Sequence, residues 1–196
     1  METEAAQPDA RSSAAELDEA RLIRLVAQGD LPAFETLYRH YFPRLIRFID
    51  RMLRRPHLVE EIINDTMMVV WQKAHTYGNS SKVSTWIFGI AYRKTLKAIR
   101  FLDEPVAFDF TQRADDAADG PEQEVTQHQL KEILARAVDT LAVEQRAAVN
   151  LTYYHGLGYR EIAEIMECPV NTVKTRVFHA RRRLKTLLSG FREKSG

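Results

Sequence analysis

The residues best suited to chemistry lie between Asn171 and Arg182. Asn171, Thr172, Lys174, Thr175, Arg176, Phe178, His179, Arg181 and Arg182 supply amide, hydroxyl, ammonium, imidazole and guanidinium groups and one aromatic ring within twelve positions. These are groups that read base edges and neutralise phosphate in a duplex groove. They lack what covalent chemistry needs. No nucleophile–base pair, phosphate-cradling glycine loop or metal-ligand spacing accompanies them. The chain is therefore expected not to be an enzyme and to use no cofactor or metal.

The elements that must present these groups are legible around them. Val173, Val177, Ala180, Leu184, Leu187 and Leu188 recur at helical spacing, so one stripe of a helix faces a core. At about 100° per residue, Asn171, Thr175, Phe178 and Arg182 lie opposite that stripe, flanked by Lys174 and His179. Upstream, Ile162, Ala163, Ile165 and Met166 give a shorter helix its buried face. Pro169 cannot continue that helix and suits entry to the next. Asn171 or Thr172 can cap the new helix start. The layout is a helix-turn-helix; the bland reading is an amphipathic hairpin with a solvated charged face.

A second set of groups lies in the first half. In the helix expected over 58–75, Val59, Ile62, Ile63, Thr66, Met67, Val70 and Trp71 form an apolar stripe, with Glu60, Glu61, Asn64 and Asp65 beside it. An acidic stripe is out of place in a basic block, which points to docking of a basic protein; simple solvation is the plainer reading. Next, Tyr77, Asn79, Ser80, Ser81, Lys82 and Trp86 make a polar loop bracketed by aromatics. Ser84 can start the following helix, which carries Arg93, Lys97 and Arg100 on one side with Lys94 adjacent. Stacking rings, hydrogen-bonding side chains and cations together suit single-stranded nucleic acid. Trp86 taken alone reads more readily as core.

Charge divides the chain in the same way. The net +1 over 196 residues hides −5 over 1–20, +8 over 21–101, −7 over 102–124, −2 over 125–170 and +7 over 171–196. Two basic blocks separated by an acidic stretch suggest two polyanion-binding modules and a linker. No strand pattern is convincing. The expected fold is all-α: a disordered tail over 1–19, a helical domain over 20–101, a flexible acidic linker over 102–124, and a helix-turn-helix domain over 125–196. A helix is expected over 125–138, burying Leu130, Ile133, Leu134, Ala137 and Val138. A 45% hydrophobic content is globular. No apolar run is long enough for membrane insertion. The first residues do not read as a signal peptide, and the single cysteine, Cys168, excludes a disulfide framework. A cytoplasmic setting follows.

Five segments in order, AFETLYRHYFPRLIRFI, VEEIINDTMMVVWQKA, VSTWIFGIAYR, the acidic linker and LTYYHGLGYREIAEIMECPVNTVKTRVFHARRRL, resemble an extracytoplasmic-function (ECF, group IV) sigma factor of the sigma-70 family. These are compact bacterial factors keeping only domains two and four. The resemblance covers about residues 20–101 and 125–190. It implies binding to core RNA polymerase: Glu60, Glu61, Asn64 and Asp65 to the clamp helices of the largest subunit, and the C-terminal domain to the flap of the second-largest.

It also implies that the loop from Tyr77 to Val83 captures a flipped base of the single-stranded −10 element, with Trp86, Arg93 and Lys97 in the same region. Lys174, Thr175 and His179 would read the −35 duplex, and Arg176, Arg181, Arg182 and Arg183 would meet its phosphates. The acidic linker would thread toward the polymerase active site, and an anti-sigma protein is a further implied partner. Tyr77-Gly78-Asn79 stands where the family commonly has Phe-Arg-Gly, Val83 where it has Phe, Arg93 where it has Asn, and His179 where it often has Arg. The bases preferred at both elements are therefore not carried over. The alternatives are a stand-alone, dimeric helix-turn-helix regulator and, more remotely, a nucleic-acid enzyme with a helical catalytic domain.

Overall fold

The computed structural model describes residues 10–53, 55–103, 137–138 and 140–192. Among them are seven α-helices and no strand: α1 (Ala10–Ala27), α2 (Leu31–Leu53), α3 (Pro56–Lys73), α4 (Val83–Asp103), α5 (Val143–Tyr153), α6 (Tyr159–Ile165) and α7 (Val170–Arg192). A 3-10 turn over Ala74–Thr76 follows α3.

Helices α1 to α4 form the N-terminal domain around Leu37, Tyr41, Leu45, Phe48, Ile49, Ile63, Met67, Val70, Ile87 and Phe88. The expected stripe of α3 is its core face. Val59, Ile62, Ile63, Thr66, Met67 and Val70 are buried, and the Thr66 hydroxyl is satisfied by the Ile62 carbonyl at 2.7 Å. Trp71 is half-buried, its ring edge-on to Phe34 at 5.1 Å. The break at Gly29-Asp30 is a built cap. Gly29 takes φ +85°, and the Asp30 carboxylate accepts the Ala33 N–H at 2.8 Å, satisfying a donor at the start of α2.

Four boundaries differ from expectation. Helix α1 begins at Ala10, inside the stretch expected to be a disordered tail. Its Ala, Leu and Glu content favours helix. Glu19 also ties it down, accepting from Tyr41 Oη at 2.7 Å and lying 3.1 Å from His40 Nε2 and 3.6 Å from Arg44 Nη1. Helix α3 ends at Lys73 rather than His75, tightening into the 3-10 turn. Helix α4 starts at Val83, so Ser84 lies inside it and is buried, and it runs through Leu102 to Asp103, into the expected linker. Helix α7 starts at Val170, with the Thr172 N–H bonded to the Pro169 carbonyl at 2.9 Å. Asn171 and Thr172 thus sit within its first turn and do not cap it. The remainder of the linker, and Leu130, Ile133 and Leu134, lie outside the described residues. Ala137 is buried and Val138 half-buried.

Helices α5 to α7 form the C-terminal domain, and it is packed directly onto the N-terminal one. A single buried cluster runs from Ile23 to Val177, taking in Ala147, Ala148, Leu151, Ile162, Ile165 and Met166 alongside the α1–α4 core. Two hydrogen bonds cross this seam to the end of α2. Asn150 Nδ2 donates to the Phe48 carbonyl at 3.2 Å, and Arg146 Nη1 donates to the Met52 carbonyl at 3.2 Å. Carbonyls in the last turn of a helix have no intrahelical partner, and Met52 lies in that turn.

Candidate nucleic-acid and polymerase interfaces

The helix-turn-helix is positioned by its apolar halves. Ile162, Ala163, Ile165 and Met166 are buried on α6, and Val173, Val177 and Ala180 on α7. Leu184 and Leu187 are half-buried, and the Leu188 side chain lies outside the described ones. The Gly158 N–H at the start of α6 donates to Glu161 Oε2 at 2.8 Å, an N-terminal closure by Glu161 that the sequence reading overlooked. The turn closes through Cys168 N–H to the Ala163 carbonyl at 3.0 Å. Glu167 makes that turn with φ +49°, a left-handed conformation normally left to glycine or asparagine.

With one face gripped, α7 exposes Asn171, Lys174, Thr175, Phe178, His179, Arg181 and Arg182. Phe178 is 62% exposed, with its ring edge-on to His179 at 5.5 Å. The Thr175 hydroxyl donates back to the Asn171 carbonyl at 2.9 Å, leaving its oxygen as an acceptor. Thr172 and Arg176 are half-buried. Arg176 turns away from the exposed face: its Nη1 donates to Cys168 Sγ at 3.4 Å.

In the N-terminal domain the loop after α3 is shaped by its own groups. The Tyr77 hydroxyl donates to the Ser81 carbonyl, and its ring leans on Trp86 at 5.4 Å. Burial, and secondarily the charge of Glu19, pushes the Tyr77 hydroxyl pKa up, so it stays a donor. Asn79 turns the chain with φ +56°, which asparagine tolerates. Asn79 and Ser80 are exposed, and Ser81 and Trp86 half-buried. Trp86 is therefore both packed and reachable.

The cations of this region meet the other domain. Lys82 Nζ lies 3.1 Å from Glu161 of α6, and Arg93 Nη1 lies 2.6 Å from Glu167 in the helix-turn-helix turn. A cavity of about 660 Å³ opens beside them between α4 and α6–α7, with Arg93, Lys97, Arg100 and Arg176 on its walls. Lys97 also sits over the Phe101 ring at 5.7 Å, and that ring is 60% exposed.

The acidic stripe stands on a third surface. Glu60, Glu61, Asn64 and Asp65 are all exposed on α3. Two are engaged within the domain: Asn64 Oδ1 accepts from Tyr38 Oη at 2.9 Å, and Asp65 Oδ2 pairs with Lys94 Nζ at 2.9 Å. Met68, one turn further on, is 55% exposed. It was missed because an isolated methionine carries no sequence signal, but its spacing from Asn64 and Glu61 puts it on the same face. Among the described residues no group of His, Cys, Asp and Glu could hold a metal ion, and no helix is long and apolar enough to cross a membrane.

A model for sigma-70 region 2 matches residues 37–103, and one for sigma-70 region 4 matches 131–184. The RpoE factor of Cereibacter sphaeroides is 31% identical, covering 82% of this chain and 88% of that protein. SigW of Bacillus subtilis is 30% identical, covering 85% and 94%. The chain belongs to the ECF RNA polymerase sigma factors. It is an alternative sigma factor that directs promoter-specific transcription initiation. The fold agrees with solved sigma factors. CnrH in complex with the cytosolic domain of CnrY superposes with a TM-score of 0.68 at 20% identity, covering 88% of this chain and 98% of that one. The sigma factor RpoE bound to the anti-sigma factor NepR from Bartonella quintana gives 0.62 at 23%, covering 80% and 96%. In this sigma factor the region 2 match holds the acidic stripe and the loop, and the region 4 match holds the recognition helix.

Proposed function

We propose a division of labour among the three surfaces. The exposed stripe Glu60, Glu61, Asn64 and Asp65, with Met68 at its end, docks on the clamp helices of core RNA polymerase, while the C-terminal domain meets the flap of the second-largest subunit. The loop Tyr77 to Lys82 with Trp86, Arg93 and Lys97 takes the single-stranded −10 element. Helix α7 enters the −35 major groove, where Lys174, Thr175 and His179 read base edges and Arg181 and Arg182 meet phosphate. Asn171 and Phe178 lie on the same face. Arg176, bonded to Cys168, supports the turn rather than the phosphate backbone. The protein acts in the cytoplasm, makes no covalent change to its partners and takes no cofactor. An anti-sigma protein is a fitting regulator, since the similar RpoE of Bartonella quintana is seen bound to the anti-sigma factor NepR.

The observation carrying this reading is the separation of signs. An exposed acidic stripe on α3 shares a chain with an exposed cationic face on α7. A protein bridging a basic protein surface and DNA needs both. The test is affinity for core polymerase of a Glu60→Lys, Glu61→Lys double variant. Association should fall more than about tenfold through like-charge contact, with the helical circular-dichroism spectrum unchanged. Unchanged affinity in the folded variant would reduce the stripe to a solvated surface.

A further inference from the structure

The −35 and −10 elements are named for positions about 25 base pairs apart, about 85 Å of duplex at 3.4 Å per pair. In the structure their two readers are neighbours. Lys82 of the single-strand loop touches Glu161 on the helix just before the recognition helix, and Arg93 touches Glu167 in the turn between them. The recognition helix itself, with 23 residues, is only about 35 Å long. The closed chain cannot lay both readers on one promoter. Two of the cations assigned to single-stranded DNA are also already neutralised by carboxylates of the other domain.

The seam is built with strain at two points. Glu167 holds its carboxylate on Arg93 from a left-handed backbone position that a glycine would occupy without cost. His155, in the loop between α5 and α6, inserts between the two domains. Its ring lies 4.7 Å from Phe88 and 5.9 Å from Phe48, both fully buried residues of the N-terminal domain. Its Nε2 is buried with no hydrogen-bond partner among the described residues. Beside it, the Arg51 guanidinium stacks on the Tyr154 ring at 3.4 Å.

We propose that this seam is a self-inhibiting latch pinned by His155: closed, it holds the single-strand loop against the helix-turn-helix, and protonation of the imidazole releases the C-terminal domain. The proposal rests on the sigma-factor reading for what the latch hides, and on the seam alone for how it opens.

The electrostatics point one way. Burial first, and then the charges of Arg44, Arg47 and Arg51, lower the His155 pKa from 6.5 to about 4. Those three arginines come from α2. Glu19 of α1 pairs with Arg44 and His40. Helix α4 presents the Phe88 ring; the seam-facing cations, Lys82 of the preceding loop and Arg93 of α4, are paired with Glu161 and Glu167. Asn150 and Tyr154, the polar neighbours on the His155 side, are neutral. No carboxylate is placed to welcome an imidazolium. Because the pKa is depressed in the closed form, the contribution of neutral His155 to closure is fully present above about pH 6.5 and is lost as pH falls toward 4. Between pH 7.5 and 5.5 the open-to-closed ratio should rise about tenfold.

The experiment is single-molecule energy transfer on the full chain, with dyes on Met68→Cys and Lys185→Cys in a Cys168→Ser background. Repeating it with Glu161→Gln brings a strongly closed equilibrium into range. The expected result is about a tenfold rise in the open-to-closed ratio from pH 7.5 to 5.5, absent when His155→Phe, which keeps the ring contact without the proton, is added. A ratio that does not rise with acid in the Glu161→Gln background, or one that rises as far when His155→Phe is added, overturns the latch. Should His155→Phe not fold, His155→Leu and an NMR titration of the His155 ring decide it. A ring pKa at or above 6.5 in the native chain is equally fatal. None of these readouts uses a promoter, so failure of the DNA assignments would leave them intact, and the reverse.

Discussion

Helix α7 and the loop after α3 are both cationic, aromatic and polar, yet they stand in opposite conditions. Helix α7 has its apolar half, Val173, Val177 and Ala180, buried and its other half open to solvent. The loop has the same kinds of groups, but Lys82 and the neighbouring Arg93 are committed to Glu161 and Glu167. The difference teaches that residue types define what a surface can bind, while the partner already in contact defines when it can bind. On the proposed assignments, the duplex-reading face is open in the free chain, while the single-strand reader waits on separation of the domains.

The largest effect expected on this contrast comes from removing its support. Ile162 is fully buried where α6 meets both α7 and the seam. Ile162→Ala should cost about 2–5 kcal/mol in chemical denaturation and abolish duplex binding with it. A loss under about 1 kcal/mol would mean that the helix-turn-helix is held by something other than this core.

The next effect sharpens the open side. Lys174→Ala should cost about 1–3 kcal/mol on the preferred promoter and relax choice at one or two base pairs. Arg182→Ala should instead weaken all promoters alike and lower the salt slope by about one. Promoter-selective transcription and binding against salt separate the two. Equal losses on every promoter for both variants would erase the division between readers and positioners.

A smaller effect, with a sign opposite to ordinary mutagenesis, is expected at Glu167. Replacing a left-handed glutamate by glycine relieves the backbone, so Glu167→Gly should raise thermal stability by about 0.5–1 kcal/mol. It should also loosen the seam by removing the Arg93 partner. Exposed pairs of this kind contribute little to stability, so the backbone term decides the sign. Melting by circular dichroism, read beside interdomain energy transfer, checks both halves.

Much of this was legible in the sequence because it is local. The α3 and α7 stripes follow from a 3.6-residue period, and Pro169 lies one residue before the start of α7, whereas α3 begins at Pro56, two residues before the expected start. The capping errors came from competition among neighbours: Asn171 and Thr172 both have cap chemistry, but Pro169 supplies the first carbonyl and leaves them inside the helix. The same short-range logic missed Asp30 as a cap, since Gly29-Asp30 reads first as a break. The seam had no such signal. Asn150 bonds a carbonyl 102 positions away, and Arg93 pairs with Glu167 at a separation of 74. Segregated charge suggested two independent modules, and nothing in composition says that opposite charges on those modules will meet. His155 carried no signal of its own, because the rings that pack on it come from the other domain.

The contrast between the open duplex reader and the covered single-strand reader is tested most directly by binding, without polymerase, of a −35 duplex and a single-stranded −10 oligonucleotide to the wild type and to a Glu161→Gln, Glu167→Gln variant. The account expects duplex affinity to change little and single-strand affinity to rise several-fold in the variant. Equal gains for both ligands, or no gain for the single strand, would contradict it.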